Sequence, residues 1–473
     1  MDIKEFRESG HTLVDLIGDY LDNVESRPLF PTVEPRTLET LFDEPLPTGP
    51  TSAERVIAEL KEKLLPYTTA VNHPGYMGLI TPPPSPVGIL GDLLASALNQ
   101  NIGVYSIGPS AVAMERRTVR WLTDLVGYDQ KAGGNLTSGG TMANFIGLKL
   151  GRDWASGQKA QHEGVTHPMT AYVSEERHVS VDKAADAVGL GRTHLRIIPT
   201  DDNFQIRLDV LQEQIRTDRA AGLLPACLVG AGGSTNTGVV DDLAALRKIA
   251  DRENMWLHVD AAYGGGVLLS KTRRPQLTGL EAADSVTLDP HKWFFAPLDA
   301  GAILVKDSAQ LTRSFGMQPS YLTDQTEEKG ERYSYFVHGF EQSRRFRGLK
   351  VWMSFKRYGA DQIGRWVDQN CEQAERLWRL ATESGEFVAA RKPPMSSVCL
   401  RYTGGRLEEP ERAKLHHQVA ERAEAQGRFW FATTLLKGRT YFRINPVNFR
   451  TRAEHMDELC AYLLKECRAL GGG

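Results

Sequence analysis

Cysteine is scarce in this chain: five among 473 residues, Cys227, Cys371, Cys399, Cys460 and Cys467. An odd number without close spacing excludes a disulfide framework and offers no zinc-ligand pattern, so no metal site is expected and a reducing compartment fits. Blocks of basic residues are also missing, and the formal net charge is -3. That balance argues against nucleic acid or an anionic membrane as the main partner. No apolar run is long enough to cross a bilayer. Residues 1–24 mix acids and bases with apolar residues at helical spacing. Neither a secretory leader nor a membrane anchor is expected there, and the reading is a soluble cytoplasmic protein. The first strand is not followed by a Gly-x-Gly-x-x-Gly turn, which counts against a dinucleotide-binding protein.

The remaining composition, 41% hydrophobic and 24% charged, is that of an ordinary globular protein. The length calls for a large catalytic domain with smaller companions. Phe6, Leu13, Leu16, Ile17 and Tyr20 share one helical face. A Pro-rich stretch over Pro28 to Pro50 follows, then an amphipathic helix over Ser52 to Leu65. Helices so far apart bury little of each other and are expected to wrap another part of the protein or a second subunit. Pro82, Pro83, Pro84 and Pro86 form a rigid turn, after which Val87 to Asn99 is helical.

Between about residues 134 and 307, apolar runs alternate with helical patterns. Strands are predicted at Ala171–Ser174, His194–Ile198, Cys227–Ala231, Trp256–Val259, Val286–Leu288 and Ala302–Val305. Helices are predicted at Val181–Leu190, Leu208–Ala221 and Asp242–Asn254. This order builds an α/β fold with a mainly parallel sheet covered on both faces. From Leu349 the chain is helix-rich, with strand-like patches at Ser397–Tyr402 and Thr440–Ile444 and a last helix over Arg452–Leu470. The expected division is an N-terminal helical segment (1–80), a large domain (81–348) and a small C-terminal α/β domain (349–473).

Ligands of such sheets collect at the carboxyl ends of the strands, and residues with chemistry follow the apolar runs here. Lys292 follows Asp289-Pro290-His291 and precedes Trp293, Phe294 and Phe295, an apolar setting that favours an amine able to form a Schiff base. Asp260 ends the run Trp256-Leu257-His258-Val259, where a carboxylate can keep a pyridine nitrogen protonated. Ser138-Gly139-Gly140-Thr141 leads into a helix, a phosphate-binding arrangement in its backbone donors. His178 follows Tyr172-Val173-Ser174 and can lie flat on a ring. Thr235 follows Gly232-Gly233-Ser234 and offers a hydroxyl. Each is a weak signal alone, since a lysine, acid or histidine at a strand end is usually structural. Five strand ends in succession offering phosphate cup, flat histidine, hydroxyl, acid and lysine are not.

In this order the residues resemble the group II pyridoxal-phosphate amino-acid decarboxylases, the family of aromatic-L-amino-acid, histidine and glutamate decarboxylases. The likeness runs through Asn72-His73-Pro74, Thr137-Ser138-Gly139-Gly140-Thr141, His178, His258-Val259-Asp260-Ala261-Ala262, Asp289-Pro290-His291-Lys292-Trp293, Arg344-Arg345-Phe346-Arg347-Gly348-Leu349-Lys350 and Arg443-Ile444-Asn445-Pro446-Val447-Asn448. It implies the aspartate-aminotransferase-like fold (fold type I) and a homodimer with sites at the subunit interface. The N-terminal helices would pack across that interface.

The likeness also implies an internal aldimine between pyridoxal 5'-phosphate and Lys292. Gly140, Thr141 and His291 would lie at the phosphate, His178 on the ring, Thr235 and Ala262 beside the cofactor, and Asp260 at the pyridine nitrogen. Tyr321 would return a proton to Cα after carbon dioxide leaves, whereas relatives with Phe there tend to make aldehydes with oxygen. Leu79, Ile80 and Gly103 stand where aromatic decarboxylases carry bulkier rings and are expected to shape the substrate pocket. Asp289 replaces a more usual Asn. The implied reaction is decarboxylation of an L-amino acid, most often an aromatic one, to the amine. Oxidative aldehyde formation and a non-aromatic substrate are the alternatives.

Overall fold

A computed structural model describes residues 1–31, 33–317 and 332–471. The chain divides into two compact units, one made of residues 80–372 with 393–397, the other of residues 1–79 with 373–392 and 398–473.

The first unit is built on a seven-stranded sheet. Its strands are β1 (Gly133–Thr137), β2 (Met169–Ser174), β3 (Leu195–Ile198), β4 (Leu224–Ala231), β5 (Trp256–Asp260), β6 (Ser285–Leu288) and β7 (Gly301–Val305). Their order across the sheet is β1-β7-β6-β5-β4-β2-β3. The pairs from β3 to β6 are parallel, and β7 runs antiparallel to both β6 and β1. This is the expected mainly parallel α/β sheet. Strands β2, β5 and β6 are buried almost throughout, which is why they read as continuous apolar runs rather than alternating ones. Helices Gly140–Ala155, Val179–Ala187, Leu208–Ala220 and Leu243–Arg252 connect the strands. Ala143, Ile146 and Leu150 pack with Val173, Val181, Ala184 and Val229 in one apolar cluster.

Two elements differ from expectation. At β1 the sequence predicts only a small-residue lead into a helix, because Gly133-Gly134-Asn135 has low strand propensity. Its partner β7 supplies the ladder. An added Cβ at Gly134 would stand 2.2 Å from the Ile303 carbonyl oxygen, so the close approach itself requires glycine. Helix Pro35–Leu41 lies within the stretch read as irregular; Pro35 occupies the first turn, where its missing N–H costs nothing.

The second unit holds an antiparallel sheet of β8 (Phe387–Ala389), β9 (Val398–Tyr402), β10 (Ala432–Leu436) and β11 (Arg439–Ile444), in the order β10-β11-β9-β8. Its core joins Val398, Leu400, Phe431, Phe442 and Ile444 to Leu459 and Leu463 of the last helix, Ala453–Gly471. The N-terminal segment belongs to this unit. Met77 N–H donates to the Trp430 carbonyl (2.8 Å), and the Phe30 and Trp430 rings lie 5.2 Å apart. By contrast, helix Ile3–Asp22 has no buried residue, and Ile3, Phe6, Leu13 and Val14 are exposed.

Candidate active site

A cavity of about 370 Å³ opens at the carboxyl ends of the strands of the first unit. Gly140, Thr141, His178, Thr235, Asp260, Ala262, His291 and Lys292, each singled out from the sequence, all line it.

One wall is the turn from β1 into helix Gly140–Ala155. Gly139 has φ +149°, a conformation that side chains resist. A Cβ on Gly140 would meet Asp289 Oδ2 at 2.8 Å and the Ala262 methyl at 3.3 Å. Among the described residues no side chain caps this helix, which leaves its first N–H groups and positive end available to an anion. A glycine cradle that Cβ atoms would fill, opposite an acid and a lysine, fits a phosphorylated aldehyde such as pyridoxal phosphate.

Asp260 ends β5, in register with Thr287 of β6 and Ala231 of β4. Its two oxygens are held separately: Oδ1 accepts from Ala262 N–H (3.1 Å) and Oδ2 from Asn144 Nδ2 (2.8 Å). A carboxylate fixed in this way can receive a ring N–H without reorganising.

His178 caps helix Val179–Ala187, its Nδ1 accepting the N–H of Ser180 at 3.2 Å. Ser180 Oγ is 2.8 Å from the same nitrogen. Burial lowers the proton affinity of His178 below the usual histidine value, with Asp260 pulling the other way. His291 Nδ1 accepts the Ala300 N–H at 3.0 Å, so a neutral His291 carries its proton on Nε2. Burial holds this histidine low as well.

Lys292 lies one turn past β6. Trp293 anchors that turn from behind, stacking on Tyr263 at 5.0 Å and donating from Nε1 to Asn370 Oδ1 at 3.0 Å. The apolar neighbours invoked from the sequence point elsewhere: Trp293, Phe294 and Phe295 are buried in the core. The amine itself faces a carboxylate, with Nζ 3.2 Å from Asp289 Oδ2. Asp289 is 2% exposed, His291 Nε2 is 3.6 Å from the same oxygen, and Oδ1 is buried without a hydrogen-bond partner among the described residues.

Sequence reasoning missed Asn144 and Ser180. Asn144 follows Gly140 by four positions, on the same face of the helix, and a polar residue on an otherwise apolar face was the signal available. Leu79, Ile80 and Gly103 are not among the residues lining the cavity. Leu79 is exposed and Ile80 buried. At Gly103 an added Cβ would stand 2.1 Å from the Gln342 carbonyl oxygen, so the backbone alone demands glycine there. Tyr321 lies outside the described residues.

A family model, the pyridoxal-dependent decarboxylase conserved domain, matches residues 35–403. The chain is 31% identical over 455 residues to an aromatic-L-amino-acid decarboxylase of Bacillus atrophaeus, covering 96% of this chain and 93% of the relative. It is 27% identical over 478 residues to a phenylacetaldehyde synthase of Arabidopsis thaliana, covering 99% and 97% of the two. The crystal structure of Oryza sativa TDC with PLP and tryptamine superposes with a TM-score of 0.94 at 27% identity, over 100% of this chain and 99% of that one. The cavity and these likenesses agree: the chain belongs to the pyridoxal-dependent decarboxylases, enzymes whose cofactor is pyridoxal phosphate.

Proposed function

We propose that this enzyme removes the α-carboxylate of an aromatic L-amino acid to give the amine and carbon dioxide, acting as a cytoplasmic homodimer. The observation that carries the reaction is the meeting of Lys292, Asp260 and His178 with the glycine cradle at Gly140 in one cavity. For the substrate class the support is the aromatic-L-amino-acid decarboxylase likeness.

Pyridoxal phosphate supplies an aldehyde for attachment and a ring that accepts the electron pair left when a bond at Cα breaks. Lys292 offers the amine that holds it, and Asp289, at 3.2 Å, is placed to exchange a proton with Nζ. Asp260, aimed by Asn144 and the Ala262 N–H, keeps a proton on the ring nitrogen. The helix start at Gly140 and Thr141, with His291 Nε2–H, would hold the phosphate, and Thr235 and Ala262 would lie beside the cofactor. His178 would cover the ring face and orient the substrate. Tyr321 gives a proton to Cα, a role carried over from the family resemblance.

The homodimer rests on two surfaces, each within its own unit. Helix Ile3–Asp22 exposes Ile3, Phe6, Leu13 and Val14, and helix Pro86–Leu98 exposes Leu90, Leu93, Leu94 and Leu98. Apolar faces of this kind mark protein contacts. All five cysteines are buried and form no disulfide among the described residues, as a reducing compartment allows. Among the described residues no helix is long and apolar enough to cross a membrane.

The likeness to a phenylacetaldehyde synthase favours a second reading, oxidative conversion to the aldehyde. Incubating the loaded enzyme with each aromatic amino acid, while following amine, aldehyde and oxygen, separates the two. Amine without oxygen uptake supports decarboxylation; aldehyde with oxygen uptake supports the second reading.

A further inference from the structure

Asn144 spends its whole hydrogen-bonding capacity inside the protein. Nδ2 donates to Asp260 Oδ2 (2.8 Å) and Ser180 Oγ (2.9 Å), while Oδ1 accepts from Thr287 Oγ1 (2.7 Å) and lies 3.0 Å from His258 Nε2. Which end of the amide is nitrogen follows from two independent ends of the network. At one end a carboxylate, Asp260, only accepts. At the other, Trp256 Nε1–H only donates, to Ser285 Oγ at 2.8 Å. Among the described residues Ser285 Oγ has one other partner, His258 Nδ1 at 2.8 Å, and that nitrogen is where its own hydrogen goes. His258, held neutral by burial with its pKa near 4, thus carries its proton on Nε2 and donates to Asn144 Oδ1. Both routes give the same amide orientation.

The consequence reaches His178. Ser180 Oγ already accepts a hydrogen from Asn144, so its own hydrogen is free to go to His178 Nδ1 at 2.8 Å. The Ser180 N–H points at the same nitrogen from 3.2 Å. With two donors aimed at it, Nδ1 has no room for a proton, and the neutral ring bears its hydrogen on Nε2. We infer that Asn144 is a positioning residue that sets two cofactor-facing groups at once: it aims the Asp260 carboxylate and, through Ser180, keeps the His178 proton on Nε2. The inference deepens the decarboxylase reading, in which His178 faces substrate with a defined donor, but its geometry stands in the protein alone.

The test uses cofactor-free protein labelled with ¹⁵N-histidine, with the His178 signals assigned by loss in His178→Gln. Ring-nitrogen shifts report the tautomer, and their pH dependence gives the titration midpoint. Asp260, Asp289, Lys292 and Lys183 are the charged groups acting on this ring, and all are retained in the variants. The wild type should show Nε2–H alone in the neutral form. In Ser180→Ala and Asn144→Leu only the longer backbone N–H contact from position 180, at 3.2 Å, still opposes a proton on Nδ1, so a fraction of the Nδ1–H form should appear and the midpoint should rise by about half a unit or more. Thermal midpoints confirm folding, and Ser180→Ala decides the matter where Asn144→Leu fails to fold. A wild-type ring protonated on Nδ1, or variants with unchanged tautomer and midpoint, would overturn the inference. Neither outcome touches the question of substrate, which the product assay answers separately.

Discussion

Lys292 Nζ lies 3.2 Å from Asp289 Oδ2, and that same oxygen borders the glycine cradle at Gly140. A buried carboxylate here engages the lysine amine in an ion pair and places negative charge beside an anion site. Both effects oppose capture of a phosphorylated aldehyde. Asp289→Asn should therefore bind pyridoxal phosphate more tightly, by roughly threefold or more, a modest electrostatic gain discounted for screening. Titrating cofactor-free protein and following the absorbance of the bound cofactor measures this. Unchanged or weaker binding would show that the carboxylate does not oppose the cofactor.

Asp260 and Lys292 separate by the kind of loss they cause. Lys292→Ala should remove covalent cofactor attachment and turnover while leaving the fold intact, since the amine lies in a cavity rather than in the core. Asp260→Asn should keep a bound cofactor but lower kcat on the order of a hundredfold, because a neutral amide no longer stabilises the protonated ring. Steady-state kinetics with cofactor-content measurements distinguish the two. Equal cofactor retention in both variants would contradict the assigned roles.

The Arg344 motif has a structural rather than catalytic explanation. Arg344, 2% exposed, pairs with fully buried Glu115 at 2.9 Å and donates to the Leu136 carbonyl at 2.6 Å, three residues before Gly139 of the cradle. Glu115 also accepts the Gly348 N–H at 2.9 Å. Arg344→Leu strands that carboxyl without its cation and should cost about 3–5 kcal/mol of stability. Denaturant unfolding checks this, and a loss below about 1 kcal/mol would mean that the pair contributes little.

Tyr321→Phe is expected to retain cofactor binding and move product from amine toward aldehyde with oxygen uptake. Simultaneous product and oxygen measurements on the variant test it, and an unchanged amine yield removes Tyr321 from the proton-transfer role.

How far the sequence could be read depended on which physical signal each element carried. Strands β2, β4, β5 and β6 are buried on both faces, so their apolar runs stand out, and the cavity residues Asp260, His178 and Lys292 lie at the end of β5 and just beyond β2 and β6. Strand β1 carries no such signal, because Gly133 and Gly134 serve close backbone approach rather than side-chain burial. The contact between Lys292 and Asp289 was readable as a spacing of three residues but not as an ion pair, since the turn geometry decides where Nζ points. Asn144 carries no such signal because its partners, Ser180, the β5 residues His258 and Asp260, and Thr287, come from three separate segments and meet only in the fold. At Gly103, expected to shape the substrate pocket, the close Gln342 carbonyl oxygen by itself requires glycine.

The central claim is that this cavity decarboxylates an aromatic amino acid. Its most direct test is to incubate purified, pyridoxal-phosphate-loaded enzyme with each standard amino acid and record amine, aldehyde, carbon dioxide and oxygen together, with Lys292→Ala as control. The account predicts equal amounts of amine and carbon dioxide from an aromatic substrate, no oxygen uptake, and no product from the variant. Aldehyde with oxygen consumption, or amine from a non-aromatic substrate alone, would contradict it.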